Sequence, residues 1–435
     1  MHPTVIRSPL GVGFDAEAAF ATLFDGRDDV FWLDSGPDGM SYLGTGTPLV
    51  VSADTVWDVL RGVPGGPQLG AVGWLGYELR GATTGAAVSR ASRYPDAAFL
   101  RVERIIAIDG ATGRAEVLAC GAEWSGELAH WRDRVARVAG TVAPEPTGAT
   151  APAGPSPAAA VAWHESDQQY LASIAACQAA IHEGEAYQLC LTTEASVAGE
   201  FEPLAVYRRL RASSPTHHGA LIRIGGVSLL SASPERFLEI DPAGVVSTRP
   251  MKGTRPRASE PAADAGLAAE LRTSEKERAE NLMIVDLMRN DLSRVCELGS
   301  VSVTELLEVE SYAHVHQLVS TVIGQLEPGR SPIDAIEACF PAGSMTGAPK
   351  RRATELLDGL EQRARGLYAG AFGYVGLDGH VDLAMTIRSI VLDAAGATIG
   401  TGGGITALSV PAEELAEAKL KAAALLAALG VPGRR

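Results

Sequence analysis

Ser274-Glu-Lys-Glu-Arg-Ala-Glu-Asn-Leu-Met-Ile-Val-Asp-Leu, residues 274 to 287, sets the frame for the whole chain. A Ser ahead of an acidic first turn, followed by apolar residues at helical spacing, predicts a helix over Thr273 to Leu292. Glu277 and Glu280, three apart, share one face of it. A second predicted helix, Ala412 to Leu429, repeats the spacing with Glu414 and Glu417, and Lys421 continues the stripe one turn on. Two such faces could meet around a hard cation such as Mg²⁺, whose shell is filled by carboxylates and water. Two solvated helix ends in an acidic protein would show the same spacing, so spacing alone leaves both readings open.

Outward from this helix the pattern is mixed. Further helical periods cover Asp167 to Glu183, Leu204 to Ala212, Pro332 to Cys339 and Lys350 to Gln362. Between them stand strand-like runs at Gln188 to Thr193, His218 to Ile224, Val227 to Ala232, Arg236 to Ile240, Tyr368 to Leu377, Asp382 to Leu392 and Ala397 to Gly400. Near the N-terminus, Val30-Phe-Trp-Leu, Pro48-Leu-Val-Val, Gly70 to Tyr77 and Ala98 to Ile108 read as strands around a helix or two. Residues 141–160 are rich in Pro, Ala, Gly and Thr and cannot bury a core, so they read as a linker between an N-terminal lobe, 1–140, and a larger domain, 161–435. The expected class is α+β, with much antiparallel sheet and helices outside.

The chain has 435 residues, with 37 Lys+Arg against 52 Asp+Glu and a formal charge of -15. That field repels nucleic acid and anionic membranes, so neither is an expected partner, and an anionic substrate would need local basic groups. Five scattered cysteines without a CxxC pair argue against a disulfide frame or a structural zinc. With no targeting segment and no long apolar run, the expected location is the cytoplasm. His314 and His316 form the one close histidine pair, which alternation on a strand already explains.

Several segments could carry chemistry. Phe340-Pro-Ala-Gly-Ser-Met-Thr-Gly-Ala-Pro-Lys precedes a helix and could hold a carboxylate or phosphate at its start, without being a Walker A loop. Thr401-Gly-Gly-Gly-Ile-Thr would let a ligand approach the backbone, and a tight sheet turn explains it as well. Ser233-Pro-Glu puts Glu235 at the start of a strand. Ser247-Thr-Arg-Pro-Met-Lys-Gly-Thr-Arg-Pro-Arg is forced into an extended path by two prolines and a glycine. There Lys252 sits amid Arg249, Arg255 and Arg257, and like charges would favour its nucleophilic neutral amine. A plain anion-binding loop is the alternative.

Together these segments resemble the chorismate-utilising enzymes, in order from about Tyr170 to the end. The landmarks are Gly184-Glu-Ala-Tyr-Gln, Ser233-Pro-Glu, Pro250-Met-Lys-Gly-Thr-Arg-Pro-Arg, Lys276 to Asp291, Gly343-Ser-Met-Thr-Gly-Ala-Pro-Lys, Gly373-Tyr, Thr386-Ile-Arg-Ser and Gly402-Gly-Gly. The resemblance implies an anthranilate-synthase-like fold of two orthogonal antiparallel sheets with helices outside. It implies Mg²⁺ on Glu280 and Glu417, with Glu277 and Glu414 reaching the ion mainly through water. It also implies a carboxylate-binding set of Thr254, Ser344, Thr346, Tyr374, Arg388, the Gly402, Gly403 and Gly404 backbone and Lys421. Glu235 matches the general acid that protonates the departing 4-hydroxyl, which requires a carboxyl kept neutral by burial.

Within the family the product is suggested by a few positions. Members that add water carry a lysine base where this chain has Gln188. Anthranilate synthases typically have Ala where Lys252 stands, and a His, tied to pyruvate loss, where Gln317 stands. Lysine in that turn resembles the aminodeoxychorismate synthases, in which it attacks ring carbon 2, and ammonia then enters at carbon 4. The expected product is 4-amino-4-deoxychorismate. The alternatives are anthranilate with pyruvate, or a catalytically silent subunit that holds chorismate or a glutaminase. No cysteine lies in an amidotransferase nucleophile elbow, so ammonia is expected from a separate glutamine amidotransferase subunit. Phe31-Trp-Leu-Asp-Ser resembles a tryptophan-binding element, altered at Trp32 and Asp34, with Ser35 as the candidate contact for a bound tryptophan.

Overall fold

A computed structural model describes residues 4–36, 39–63, 69–139, 160–312, 315–376 and 378–431. Residues 141–159 of the expected linker, and His314, lie outside the described residues. The strands form two antiparallel sheets, one of twelve strands and one of ten. Hydrophobic clusters fall into layers around them. Phe31, Ile222 and Leu229 of the larger sheet meet Trp74, Leu100 and Phe372 of the smaller one in a shared core. On the outer face of the larger sheet, Trp32, Leu221, Leu230 and Ile399 pack against Phe20, Ala422 and Leu425 from the helices Ala16–Leu23 and Pro411–Ala428. The smaller sheet packs Phe237, Leu238 and Val322 against Ile284, Met288 and Ile336 from the helices Glu275–Leu292 and Pro332–Cys339.

This layering explains why the strand Val30–Asp34 is buried throughout and apolar up to Leu33. Phe31 points between the sheets and Trp32 into the helix layer, as strand alternation requires. Each such fully buried side chain contributes about 1.5–3 kcal/mol before its ordering cost is subtracted.

The N-terminal residues do not form a lobe of their own. Val30–Asp34 pairs with His218–Ile224, and Gly70–Leu75 pairs with Ala371–Gly376, so both sheets are built from the two ends of the chain. Two runs expected as single strands are each split. Ala97–Val102 belongs to the smaller sheet and Arg104–Asp109 to the larger. Likewise Val381–Met385 lies in the smaller sheet and Ser389–Asp393 in the larger, with Arg388 at the crossing in the left-handed region, φ 50°. Apolar runs flank both crossings because both sheets need them, and the largely polar crossings, Glu103 in one and Thr386 to Arg388 in the other, are too short to show the breaks.

The glycines at 402–404 are not a turn. They lie inside the strand Gly396–Ile405, paired with Gln188–Ala198. A helix not expected from the sequence, Pro261–Thr273, precedes Glu275–Leu292, and Ser274 both ends the first and caps the second. The buried Asn281 fixes that second helix: its amide donates to the carbonyls of Pro250 and Leu318, and it accepts from Ser320 Oγ at 2.6 Å. No helix among the described residues is long and apolar enough to cross a membrane.

Candidate functional site

The two Glu-x-x-Glu helices approach each other beside the glycine strand. Lys276 Nζ lies 3.3 Å from Glu414 Oε1, which also accepts from Ser409 Oγ at 2.7 Å. Lys421 Nζ donates to Gly402 O at 2.9 Å and pairs with Glu417 at 2.7 Å. A Cβ at Gly403 would lie 3.1 Å from Glu414 Oε2. A Cβ at Gly404 would lie 2.0 Å from Gln188 Nε2 and 3.6 Å from Lys252 Nζ. Glycine here is therefore the space that Gln188 and Lys252 share.

Lys252 is half-buried on the strand Met251–Pro256. The like-charge expectation for it is corrected. Arg249 pairs with Glu310, Arg255 with Glu270 and Glu277, and Arg257 with Asp264, so none of the three acts on the amine as a bare charge. Burial alone would lower the Lys252 pKa, but Glu280, Glu235 and Glu277 among its neighbours more than offset this and raise it above the usual lysine value. At rest it is an ammonium.

Glu235 is 8 % exposed, and burial raises its pKa, while Lys252, a hydrogen bond from Ser344 and Lys421 pull it back. Glu280, also buried, is raised first by desolvation, with Glu277 and Glu414 adding to the shift and Lys252 opposing it. Burial would raise Glu417 as well, but its ion pair with Lys421 prevails and leaves it below the usual range. Glu280 with Glu277 and Glu414 close enough to act on it suits a hard divalent cation in donor type and charge. As they stand, no three His, Cys, Asp or Glu side chains among the described residues are gathered closely enough to hold one, and Lys276 and Lys421 serve as their counter-ions.

The Arg388 side chain has no hydrogen bond or ion pair among the described residues, while its backbone carbonyl accepts from Ala232 N at 3.1 Å. Its exposed guanidinium is still partly desolvated, which lowers its pKa, against Tyr368 and Glu417 as raising neighbours. An unpaired arginine held in a left-handed backbone conformation is poised for an external anion.

Not every expected residue joins this group. Tyr374 does not: its hydroxyl shares a hydrogen bond with His380 Nδ1 at 2.9 Å, and it lines a separate cavity. The tyrosine beside Arg388 and Cys190 is Tyr368, six residues earlier, whose ring would be 2.1 Å from a Cβ at Gly400. Alternation could have found it, because Tyr374 sits inside a strand that presents it to the other sheet, whereas Tyr368 precedes that strand. The buried Thr346 hydroxyl is also occupied, donating to the carbonyls of Ala342 and Gly343 at 3.3 Å. Thr254 lies exposed on its strand opposite Gln317.

His316 does not take over the place of Gln317. It is buried, its Nε2 is 2.9 Å from Asp264 and its Nδ1 is 2.8 Å from Ser311 Oγ, so both ring nitrogens are engaged.

The cavity beside Tyr374 is about 300 Å³ and includes Asp34, Ser35, His218, Arg236 and Asp382 in its lining. His218 Nδ1, Arg236 Nε and Asp382 Oδ1 are buried there without hydrogen bonds, although Asp382 Oδ1 lies in ion-pair range of Arg236 Nε at 3.7 Å and of His218 Nε2 at 3.6 Å. Asp34 itself is held by Arg211 and Ser41, and Trp32 points away into the helix layer.

The sequence matches the family described as chorismate binding enzyme over residues 16–427. The chain belongs to this family. Among curated proteins, this chorismate-binding enzyme is similar to the aminodeoxychorismate synthase of Streptomyces pristinaespiralis, 42 % identical over 95 % of the chain and 64 % of the relative. It is similar also to that of Streptomyces griseus, 41 % identical over 99 % of the chain and 65 % of the relative. The chain thus spans a little under two thirds of the length of these relatives. Among solved structures, anthranilate synthase component I from Streptococcus pneumoniae TIGR4 superposes with a TM-score of 0.76 at 28 % identity, covering 92 % of this chain and 91 % of that one.

The free guanidinium of Arg388 should carry part of the affinity for a carboxylate. Replacing it with Met is expected to raise the KM for chorismate about 10- to 100-fold, the size of a lost charged hydrogen bond. Steady-state kinetics on Arg388→Met, with its melting temperature as a control, checks this.

Proposed function

We propose that this protein aminates chorismate to 4-amino-4-deoxychorismate, with ammonia supplied by a separate glutamine amidotransferase subunit. The observation that carries the reading is Lys252, whose amine lies against Gly404 and feels the charge of both Glu235 and Glu280. The two aminodeoxychorismate synthases at 41 % and 42 % identity support it. The engagement of His316 with Asp264 and Ser311 supports retention of the enolpyruvyl group, since it leaves no free imidazole at the place of Gln317.

The chemistry requires Lys252 as a neutral amine and Glu235 as a neutral acid. One proton moved from the ammonium to the carboxylate produces both, and the drying of the pocket by substrate favours that neutral pair over the charged one. The amine then forms a bond to ring carbon 2, both ring double bonds shift by one position toward carbon 4, and the bond from carbon 4 to its hydroxyl breaks. Glu235 gives its proton to the leaving oxygen, which departs as water. Ammonia bonds to carbon 4, both double bonds shift back and the bond from carbon 2 to Lys252 breaks, splitting one hard displacement into two easier ones. Glu280, Glu417, Glu277 and Glu414 would hold Mg²⁺, which when bound would supply positive charge for the ring carboxylate. Arg388, Lys421, Ser344, Tyr368 and the backbone at 402–404 orient the substrate.

Incubation with chorismate, Mg²⁺ and ammonium at pH ~8.5, followed by mass spectrometry and a coupled pyruvate assay, tests the product. The expected result is an amino-substituted chorismate without pyruvate. Anthranilate with stoichiometric pyruvate would establish the other branch of the family, and no turnover would support a silent subunit. Glu235→Gln should lower turnover about 10²- to 10⁴-fold, the usual range for loss of a general acid.

We further propose that the cavity at Ser35 binds tryptophan, since Arg236, His218 and Asp382, loosely paired and not hydrogen-bonded to one another, suit an amino acid's charged ends. Millimolar tryptophan should then raise the melting temperature, because a ligand that binds only the folded state stabilises it. An unchanged melting curve would remove the idea.

A further inference from the structure

Outside the substrate-facing residues, the molecule buries one charged side chain with an unusually full set of partners. The helix Lys350–Glu361 ends at Gln362, whose left-handed backbone, φ 51°, turns the chain so that Arg365 comes back beneath Glu361. Arg365 is 2 % exposed. Its Nε and Nη2 form a fork on Glu361 at 2.8 and 2.6 Å. The remaining donors run to two carbonyls from distant parts of the chain, Nη1 to Met345 O at 2.7 Å and Nη2 to Cys190 O at 2.8 Å. The Tyr77 ring covers the guanidinium at 4.2 Å.

The two carbonyls matter because of what lies next to them. Met345 follows Ser344, whose side chain is near enough to Glu235 to lower its pKa as a hydrogen-bond donor. Cys190 lies on the strand Gln188–Ala198, paired with Gly404 in the glycine strand against which Lys252 rests. The guanidinium therefore spans the loop that addresses Glu235 and the strand that bounds the nucleophile. A planar fork of five donors can hold a carboxylate and two carbonyls at once, which a lysine cannot.

We infer that Arg365 is a positioning residue for the chemistry at Glu235, fixing Ser344 by clamping Met345 O to Cys190 O. The inference rests on the general-acid reading of Glu235 proposed above. Arg365 itself touches no substrate. Its effect passes through the hydrogen bond from Ser344, which stabilises the Glu235 carboxylate, so losing that bond moves the acid upward and extends activity to higher pH. Lys252 and Lys421, the other charges acting on Glu235, are unchanged in every variant below.

Replacing Arg365 alone would strand a buried Glu361, so the test uses Arg365→Gln with Glu361→Gln, which removes both charges together. Arg365→Lys, which keeps the ion pair and forfeits the span, gives the same comparison if the double variant does not fold. With either, kcat is expected to fall about 10- to 100-fold, as for a small misplacement of a reacting group, while the KM for chorismate changes less than about twofold. The alkaline limb of the kcat profile should move upward as it does in Ser344→Ala, and adding Ser344→Ala to the Arg365 variant should move it no further. An unmoved limb, a shift that adds to that of Ser344→Ala, or losses that follow the melting temperature alone would each overturn the inference and leave Arg365 a purely structural buried ion. A wild-type limb that persists in Glu235→Gln would overturn the general-acid reading, and this inference with it.

Discussion

The site depends on a stretch of central sheet that carries no side chains. Gly402, Gly403 and Gly404 lie between the strand Gln188–Ala198 and the helix Pro411–Ala428, and a Cβ at Gly402 would come within 2.2 Å of Leu191 O. Because the strand contributes no bulk, Gln188 can lie across it, Lys421 can reach its backbone and Lys252 can rest on it. Any side chain there would separate the lysine from the carboxylate helices. Close packing makes that vacancy costly to fill and hard to move.

Electrostatics follows from the same crowding. A chain of net charge -15 repels an anionic substrate at long range, yet collects Lys252, Arg388 and Lys421 around this strand. Desolvation alone would disfavour every one of these charges. Glu280 and Glu235 face Lys252 and Glu417 pairs with Lys421, whereas the Arg388 guanidinium stays unpaired, so an incoming anion and cation would have to rearrange the first two pairings. In the proposed reaction, one proton passed between Glu235 and Lys252 would serve both the acid and the nucleophile.

Much of this was legible in the sequence. Helix periodicity located Asp167–His182, Pro332–Cys339, Lys350–Glu361 and the two carboxylate helices, and strand runs such as His218–Ile224 and Arg236–Ile240 matched to the residue. The failures share a cause, because composition reports burial and not which sheet does the burying. Both split runs are apolar on either side of a largely polar crossing of one to three residues, and the glycine run read as a turn because nothing local indicates a neighbour that needs the space. The arginines around Lys252 could not be discounted until Glu310, Glu270 and Asp264, distant in sequence, were seen to pair with them. Tyr374 for Tyr368 was an error of position within one Gly-rich segment. Arg365 carried no signal, since its role lies in two backbone carbonyls that no motif encodes.

The central claim is that Lys252 bonds to the substrate ring. Intact-protein mass spectrometry of the chain with chorismate and Mg²⁺, ammonium withheld, addresses it directly. The account predicts a gain equal to chorismate less one water, located on the peptide containing Lys252, absent from Lys252→Ala and discharged when ammonium is added. Full turnover of the wild type with no such adduct, or an adduct that persists in Lys252→Ala, would contradict it.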